Sequence, residues 1–133
     1  MFDPFEEFLR TFRREQGPRP PTQEGRENVW YPGVDVYEIE MGLIVVIELP
    51  GVKKENLDIT LEDGYLVIQG TRYEPVYYFL KCHHREILYG KFKRSIKLPR
   101  KVDEDGVKAE LKEGFLLTYL PFQKEQISKI QID

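Results

Sequence analysis

Leu57-Asp58-Ile59-Thr60-Leu61-Glu62-Asp63-Gly64-Tyr65-Leu66-Val67-Ile68-Gln69 decides the fold class. Leu57, Ile59 and Leu61 alternate with Asp58, Thr60 and Glu62, the period-two pattern of a strand with one covered face. Asp63-Gly64 follows, and Asp-Gly between two strand patterns predicts a tight hairpin. Beyond the turn, Leu66 and Ile68 face opposite to Tyr65, Val67 and Gln69.

The same signal continues outward in both directions. Upstream, residues 43–49 form a nearly continuous apolar run that ends at Pro50-Gly51, and Val34, Val36 and Ile39 alternate with Asp35, Tyr37 and Glu38 before it. Downstream, Phe92, Arg94 and Ile96 begin a strand closed by Leu98-Pro99. Val107, Ala109 and Leu111 then alternate with Lys108, Glu110 and Lys112, and Glu113-Gly114 turns into a last strand over 115–120. Short strands at close spacing, with Gly and Pro turns and no long helical pattern between them, predict an all-β fold. The expected architecture is an antiparallel, immunoglobulin-like β-sandwich over residues 30–121.

Two extensions flank it. In residues 1–14, Phe2, Phe5, Phe8, Leu9 and Phe12 fall at steps of three and four, one stripe of an amphipathic helix. Asp3 suits the N-cap, Pro4 the first helical position, and Glu6 the far side of a capping box. Arg10, Arg13 and Arg14 complement the dipole near the end, before Gly17-Pro18 stops the helix. The stripe either docks on its own domain or serves as a sticky arm for other chains. Residues 15–28 carry no hydrophobic residue, so 15–29 reads as a flexible linker. After Pro121, the tail over 122–133 is extended. Ile130 and Ile132 share one face of it, and the nine residue steps from Pro121 to Ile130 can span about 30 Å.

Length and charge narrow the function. The 133 residues fit one domain plus short extensions, and the net charge of −3 is too mild to imply nucleic-acid or membrane binding by electrostatics. Acids at the N-terminus do not suit a signal peptide, and no run approaches the roughly 18 apolar residues of a membrane span. A soluble, cytoplasmic protein is expected. The single cysteine, Cys82, excludes a disulfide framework within the chain.

The motifs of catalysis are missing. There is no phosphate-cradling glycine loop and no nucleophile elbow, and Ser95 and Ser128 are the two serines. Cys82 and His84 would share a strand face next to His83, but a closed zinc site needs about four ligands. A polar stretch with a free thiol is the simpler reading. No enzyme activity, metal or cofactor is expected.

Several pieces together resemble the small heat-shock protein (α-crystallin) family. Leu49-Pro50-Gly51-Val52-Lys53-Lys54-Glu55 resembles its Leu-Pro-Gly-Val turn, and Leu66-Val67-Ile68-Gln69-Gly70 its next strand. The run from Gly90 through Phe92, Arg94 and Leu98-Pro99 resembles its Gly-x-Phe-x-Arg-x-x-x-Leu-Pro strand. Ala109-Glu110-Leu111-Lys112-Glu113-Gly114-Phe115-Leu116 is similar to its Ala-x-Leu-x-x-Gly-Val-Leu signature, with Phe115 in place of Val. Ile130-Gln131-Ile132 resembles its Ile-x-Ile tail. One departure is that Glu86 is followed by Ile87 where the family often has arginine.

The resemblance implies an ATP-independent chaperone that holds unfolding client proteins and works as a dynamic homo-oligomer of strand-exchanged dimers. In the bacterial, archaeal and plant branch, the long connection corresponding to 71–89 carries a strand that pairs with the first strand of a partner. Here Val76-Tyr77-Tyr78-Phe79-Leu80 and 81–87 would supply it and 33–38 receive it, against the simpler alternative of a self-packed hairpin. Arg94, Val34, Val36, Tyr77, Phe79 and Glu86 are then the expected dimer contacts. Ile130 and Ile132 would insert into a neighbour's groove lined by Leu57, Ile59, Val107, Ala109 and Leu111. Phe2, Phe5, Phe8, Leu9 and Phe12 would meet clients. The rival reading is a CS-domain co-chaperone serving one defined partner.

Overall fold

A computed structural model describes residues 3–7, 9, 29–76, 78–124 and 129–133. Among the described residues, seven strands form two antiparallel sheets. β1 (Val34–Ile39), β2 (Gly42–Glu48), β7 (Phe115–Pro121) and β6 (Lys108–Lys112) make one, in the order β1-β2-β7-β6. β3 (Leu57–Glu62), β4 (Tyr65–Arg72) and β5 (Gly90–Lys97) make the other, in chain order. The chain crosses between sheets twice, through single 3-10 turns at Lys54–Asn56 and Glu104–Gly106.

Two-residue turns fix the register. Asp63 and Gly64 have φ of 49° and 82°, Glu113 and Gly114 of 52° and 84°. Two successive residues at positive φ make the hairpin turn whose twist matches that of the flanking strands. Glu62 therefore pairs with Tyr65 and Lys112 with Phe115. That register sends Leu66 and Ile68 inward to meet Leu43, Val45 and Ile47 of β2 and Leu116 and Leu120 of β7, all essentially buried. The apolar run of β2 is explained by its central place: Leu43, Val45 and Ile47 are fully covered, while Ile44 and Val46 on the other face are half-covered.

Two positions and one strand differ from simple alternation. Val67, on the outer face of β4, is only 7% exposed; it lies on the middle strand of its sheet, in register with Thr60 and Ser95. Ala109 is exposed on β6 although its row neighbours Val107 and Leu111 pack on the core. On β1 only Val34 is half-covered, and the rest of the strand is exposed on both faces. β6 and β1 are the edges of their sheet, so each lacks a neighbour on one side.

Asp3 caps the N-terminal helical turn as the spacing predicts. Its side chain accepts from the Phe5 N–H at 3.0 Å, and its carbonyl accepts from Glu7 N–H at 3.1 Å.

Thr118 of β7 points into the core with its residue 1% exposed, and its hydroxyl has no hydrogen-bond partner among the described residues. A buried polar group left unpaired costs its desolvation. Thr118→Val should therefore raise stability by about 1 kcal/mol, read as a higher midpoint in equilibrium urea unfolding.

Candidate functional site

The surfaces that stand out are strand edges. Trp30 forms a parallel bridge to Phe92 of β5, and the chain enters β1 four residues later. β5 and β1 thus lie on one side of the sandwich, which leaves β3 and β6, the opposite edges of the two sheets, on the other. Leu57, Ile59, Val107 and Leu111 are half-buried and packed on the core, and Ala109 is exposed among them. An alanine between larger residues on an open edge leaves a shallow place in that row.

On the first side, β5 is covered by the segment that precedes β1. Trp30 N–H donates to Lys91 O at 3.0 Å, and Arg94 Nη1 donates to the carbonyl of Pro32 at 2.8 Å. Arg94 is thus bound within its own chain by a carbonyl, with its guanidinium partly buried. β1 itself stays open. Val36, Tyr37 and Ile39 are exposed, and the Tyr37 hydroxyl donates to Asp35 at 3.1 Å, which raises its pKa.

Residues 73–89 project between β4 and β5, and no strand forms in 73–76 or 78–89. Tyr78, Phe79, Leu80, Ile87 and Leu88 are all more than half exposed, Leu80 completely. Tyr77 lies outside the described residues. Glu74 accepts from Arg85 at 2.5 Å, drawing the two limbs of the loop together and raising the arginine's pKa. His84 Nε2 lies 2.6 Å from Glu86 Oε2, and Cys82 Sγ lies 3.5 Å from His84 O. Among the described residues no three potential ligands converge as a metal site would need.

Both ends of the chain present apolar residues to water. Ile130 is 83% and Ile132 92% exposed. In the N-terminal stripe Phe5 is exposed and Leu9 half-covered, whereas Phe2, Phe8 and Phe12 lie outside the described residues.

Two arginines lie over aromatic rings that the sequence pattern does not pair with them. Arg72, the last residue of β4, lies over the ring of Trp30, and Arg100 lies 3.7 Å from the ring centroid of Phe122, where the tail leaves β7. The lone tryptophan just ahead of the first strand pattern was the available signal, but its partner sits far along the chain.

A family model described as "Hsp20/alpha crystallin family" matches residues 35–133. The chain belongs to that family. Small heat shock protein C2 of Rickettsia felis is 34% identical over 107 residues, covering 80% of this chain and 69% of its own length. The probable 15 kDa heat shock protein of Leptospira interrogans is 31% identical, covering 84% and 85%. Among solved structures, heat shock protein 16.0 of Schizosaccharomyces pombe superposes with a TM-score of 0.66 at 32% identity, over 78% of this chain and 97% of that one. A small heat-shock protein from Xylella fastidiosa, described as having a distinct high order structure, gives 0.66 at 27% identity over 80% and 99%. The protein is thus a small heat shock protein with an α-crystallin sandwich, and its role is that of a chaperone family whose members are in general not enzymes. No helix among the described residues is long and apolar enough to cross a membrane.

In this small heat shock protein the Arg94–Pro32 bond ties the pre-β1 segment to β5. Arg94→Met removes a hydrogen bond with a charged donor and should lower stability by about 1.5 kcal/mol. Urea unfolding, with amide exchange at residues 30–33, checks both the loss and its place.

Proposed function

We propose that this chain is an ATP-independent holdase, assembled from strand-exchanged dimers into a dynamic homo-oligomer. The observation that carries the reading is the match between uncovered apolar side chains and open strand edges. Exposed apolar residues on β1, on the 73–89 loop and on the tail each lie where a second copy could cover them. Soluble proteins seldom leave long apolar edges open.

The loop of one subunit lies along β1 of the next, with Phe79 and Glu86 beside Val34 and Val36. Such pairing completes the backbone hydrogen bonds of β1 and covers its side chains. Arg94 keeps its bond to Pro32 and lies near this contact. Ile130 and Ile132 of a neighbour enter the β3–β6 groove by strand addition, over Leu57, Ile59, Val107, Ala109 and Leu111. Each isoleucine contributes about 1.5–3 kcal/mol of burial, against roughly 1–2 kcal/mol for each backbone residue ordered. One tail contact is therefore weak, and many in a closed assembly hold together through effective concentration. That balance yields a particle that is stable yet exchanges subunits. When contacts open, the groove and the phenylalanine stripe of residues 1–14 meet non-native clients by burial alone, with no need of nucleotide.

Light scattering from a heat-denaturing client, without ATP, should fall at near-stoichiometric amounts of the protein. Unchanged scattering across temperatures would overturn the holdase reading and favour service to one defined partner. Ile130→Ala combined with Ile132→Ala should shrink the native mass toward a dimer in size-exclusion chromatography with light scattering. An unchanged mass would remove the tail from assembly.

A further inference from the structure

The root of the 73–89 loop is held by one side chain. Arg72 Nε donates to Leu88 O at 2.9 Å, Nη2 donates to the same carbonyl, and Nη1 donates to Pro50 O at 3.2 Å. The guanidinium carbon lies 4.2 Å from the ring centroid of Trp30 and 5.6 Å from that of Tyr89. It has no ion pair among the described residues. Three donations to carbonyls and two ring faces satisfy a charge that burial alone would disfavour. That burial lowers the Arg72 pKa.

Trp30 extends the clamp into the core. Its indole Nε1 donates to Gly90 O at 3.1 Å, and its ring lies 5.3 Å from that of Phe92, a residue 1% exposed. Gly90, at φ 96°, makes the bend by which the loop returns to β5. A cleft of about 300 Å³ lies beside the clamp, lined in part by Pro50, Lys53, Asn56, Tyr73 and Ile87. The loop therefore meets the sandwich through an arginine fork and a stacked indole, with open space alongside.

We propose that Arg72 is a positioning residue for subunit pairing: by fastening Leu88 and Pro50 to the Trp30 stack, it sets the direction in which the loop leaves the sandwich and so the lifetime of the exchanged dimer. This rests on the strand-exchanged dimer proposed above. A loop held in its paired direction loses less freedom on binding than one that swings about its root. Removing the fork leaves the strands their own register, since β4 and β5 pair from Tyr65 to Arg72 through backbone bonds. The consequence therefore falls on pairing rather than on the core.

The test mixes isotopically heavy and light copies of the full chain and follows mixed dimers by native mass spectrometry, with amide exchange on each protein alone. Arg72→Met keeps the length of the stem and removes the fork, whereas Arg72→Lys keeps the charge. The expected result is subunit exchange about tenfold faster for Arg72→Met, with Arg72→Lys between it and the unmodified chain. Loop amides over 78–89 should lose protection while those of β2, β4 and β7 do not change. Equal exchange rates in all three proteins overturn the proposal. So does a rate increase accompanied by equal loss of protection in β2 and β7, which is a general structural defect. If Arg72→Met does not fold, Arg72→Lys alone decides by the same criteria. Loop amides that exchange freely in the unmodified chain at every concentration would overturn the strand-exchanged dimer itself, and this proposal with it. A protected loop with unchanged rates overturns only the role of Arg72.

Discussion

Phe92 seated against Gly70 is the contact on which the rest of this sandwich depends. The two residues pair across β4 and β5, and a Cβ on Gly70 would stand 2.8 Å from the Phe92 ring and 2.2 Å from Asn56 O. Only a residue without a side chain lets the ring sit that close while the 3-10 turn before β3 folds over the same spot. Phe92 then carries structure outward. Trp30 packs on it with its ring tilted by 57°, the segment through Pro32 follows Trp30 along β5, and β1 begins from there. A core contact thus decides where an exposed edge starts.

The same chain of contacts links stability to chaperone work. Covered surface lies between the sheets, where β2, β4 and β7 meet, and it is dense enough to hold the sandwich as one unit. Exposed apolar surface lies on edges and projections: the side chains of residues 78–88 in the loop and most of β1 stand clear of the core, whereas Leu57, Ile59, Val107 and Leu111 on the other edges are half-buried against it. Open edges of that kind allow weak, reversible, repeated contacts. The holdase proposed above calls for contacts of this sort, because directional hydrogen-bond readout would restrict it to one sequence.

Much of this was legible in the residues themselves. Asp63-Gly64 and Glu113-Gly114 announce their turns because positive φ is a local demand with few solutions. Alternation in 57–61 and the apolar run over 43–49 announce strands because side-chain direction repeats every two residues. The Asp3 cap was equally local. Arg72 was not legible, since its partners lie 16 and 22 positions away, and nothing in a lone arginine at a strand end names them. Val67 and Ala109 escaped for a related reason. Alternation tells which face a residue takes, but not whether neighbouring strands cover that face.

The open edge of β1 has a consequence for the protein's own solubility. An unpaired strand presents a row of free backbone groups that any extended peptide can join, including another copy in the wrong register. Asp35 and Glu38 lie along this edge among Val34, Val36 and Ile39, with Glu40 just beyond it, and these like charges disfavour an in-register stack of identical strands. A partner paired at β1 as proposed removes the template altogether. Under that proposal the fraction of chains standing alone sets how exposed this chaperone is to aggregation through its own edge.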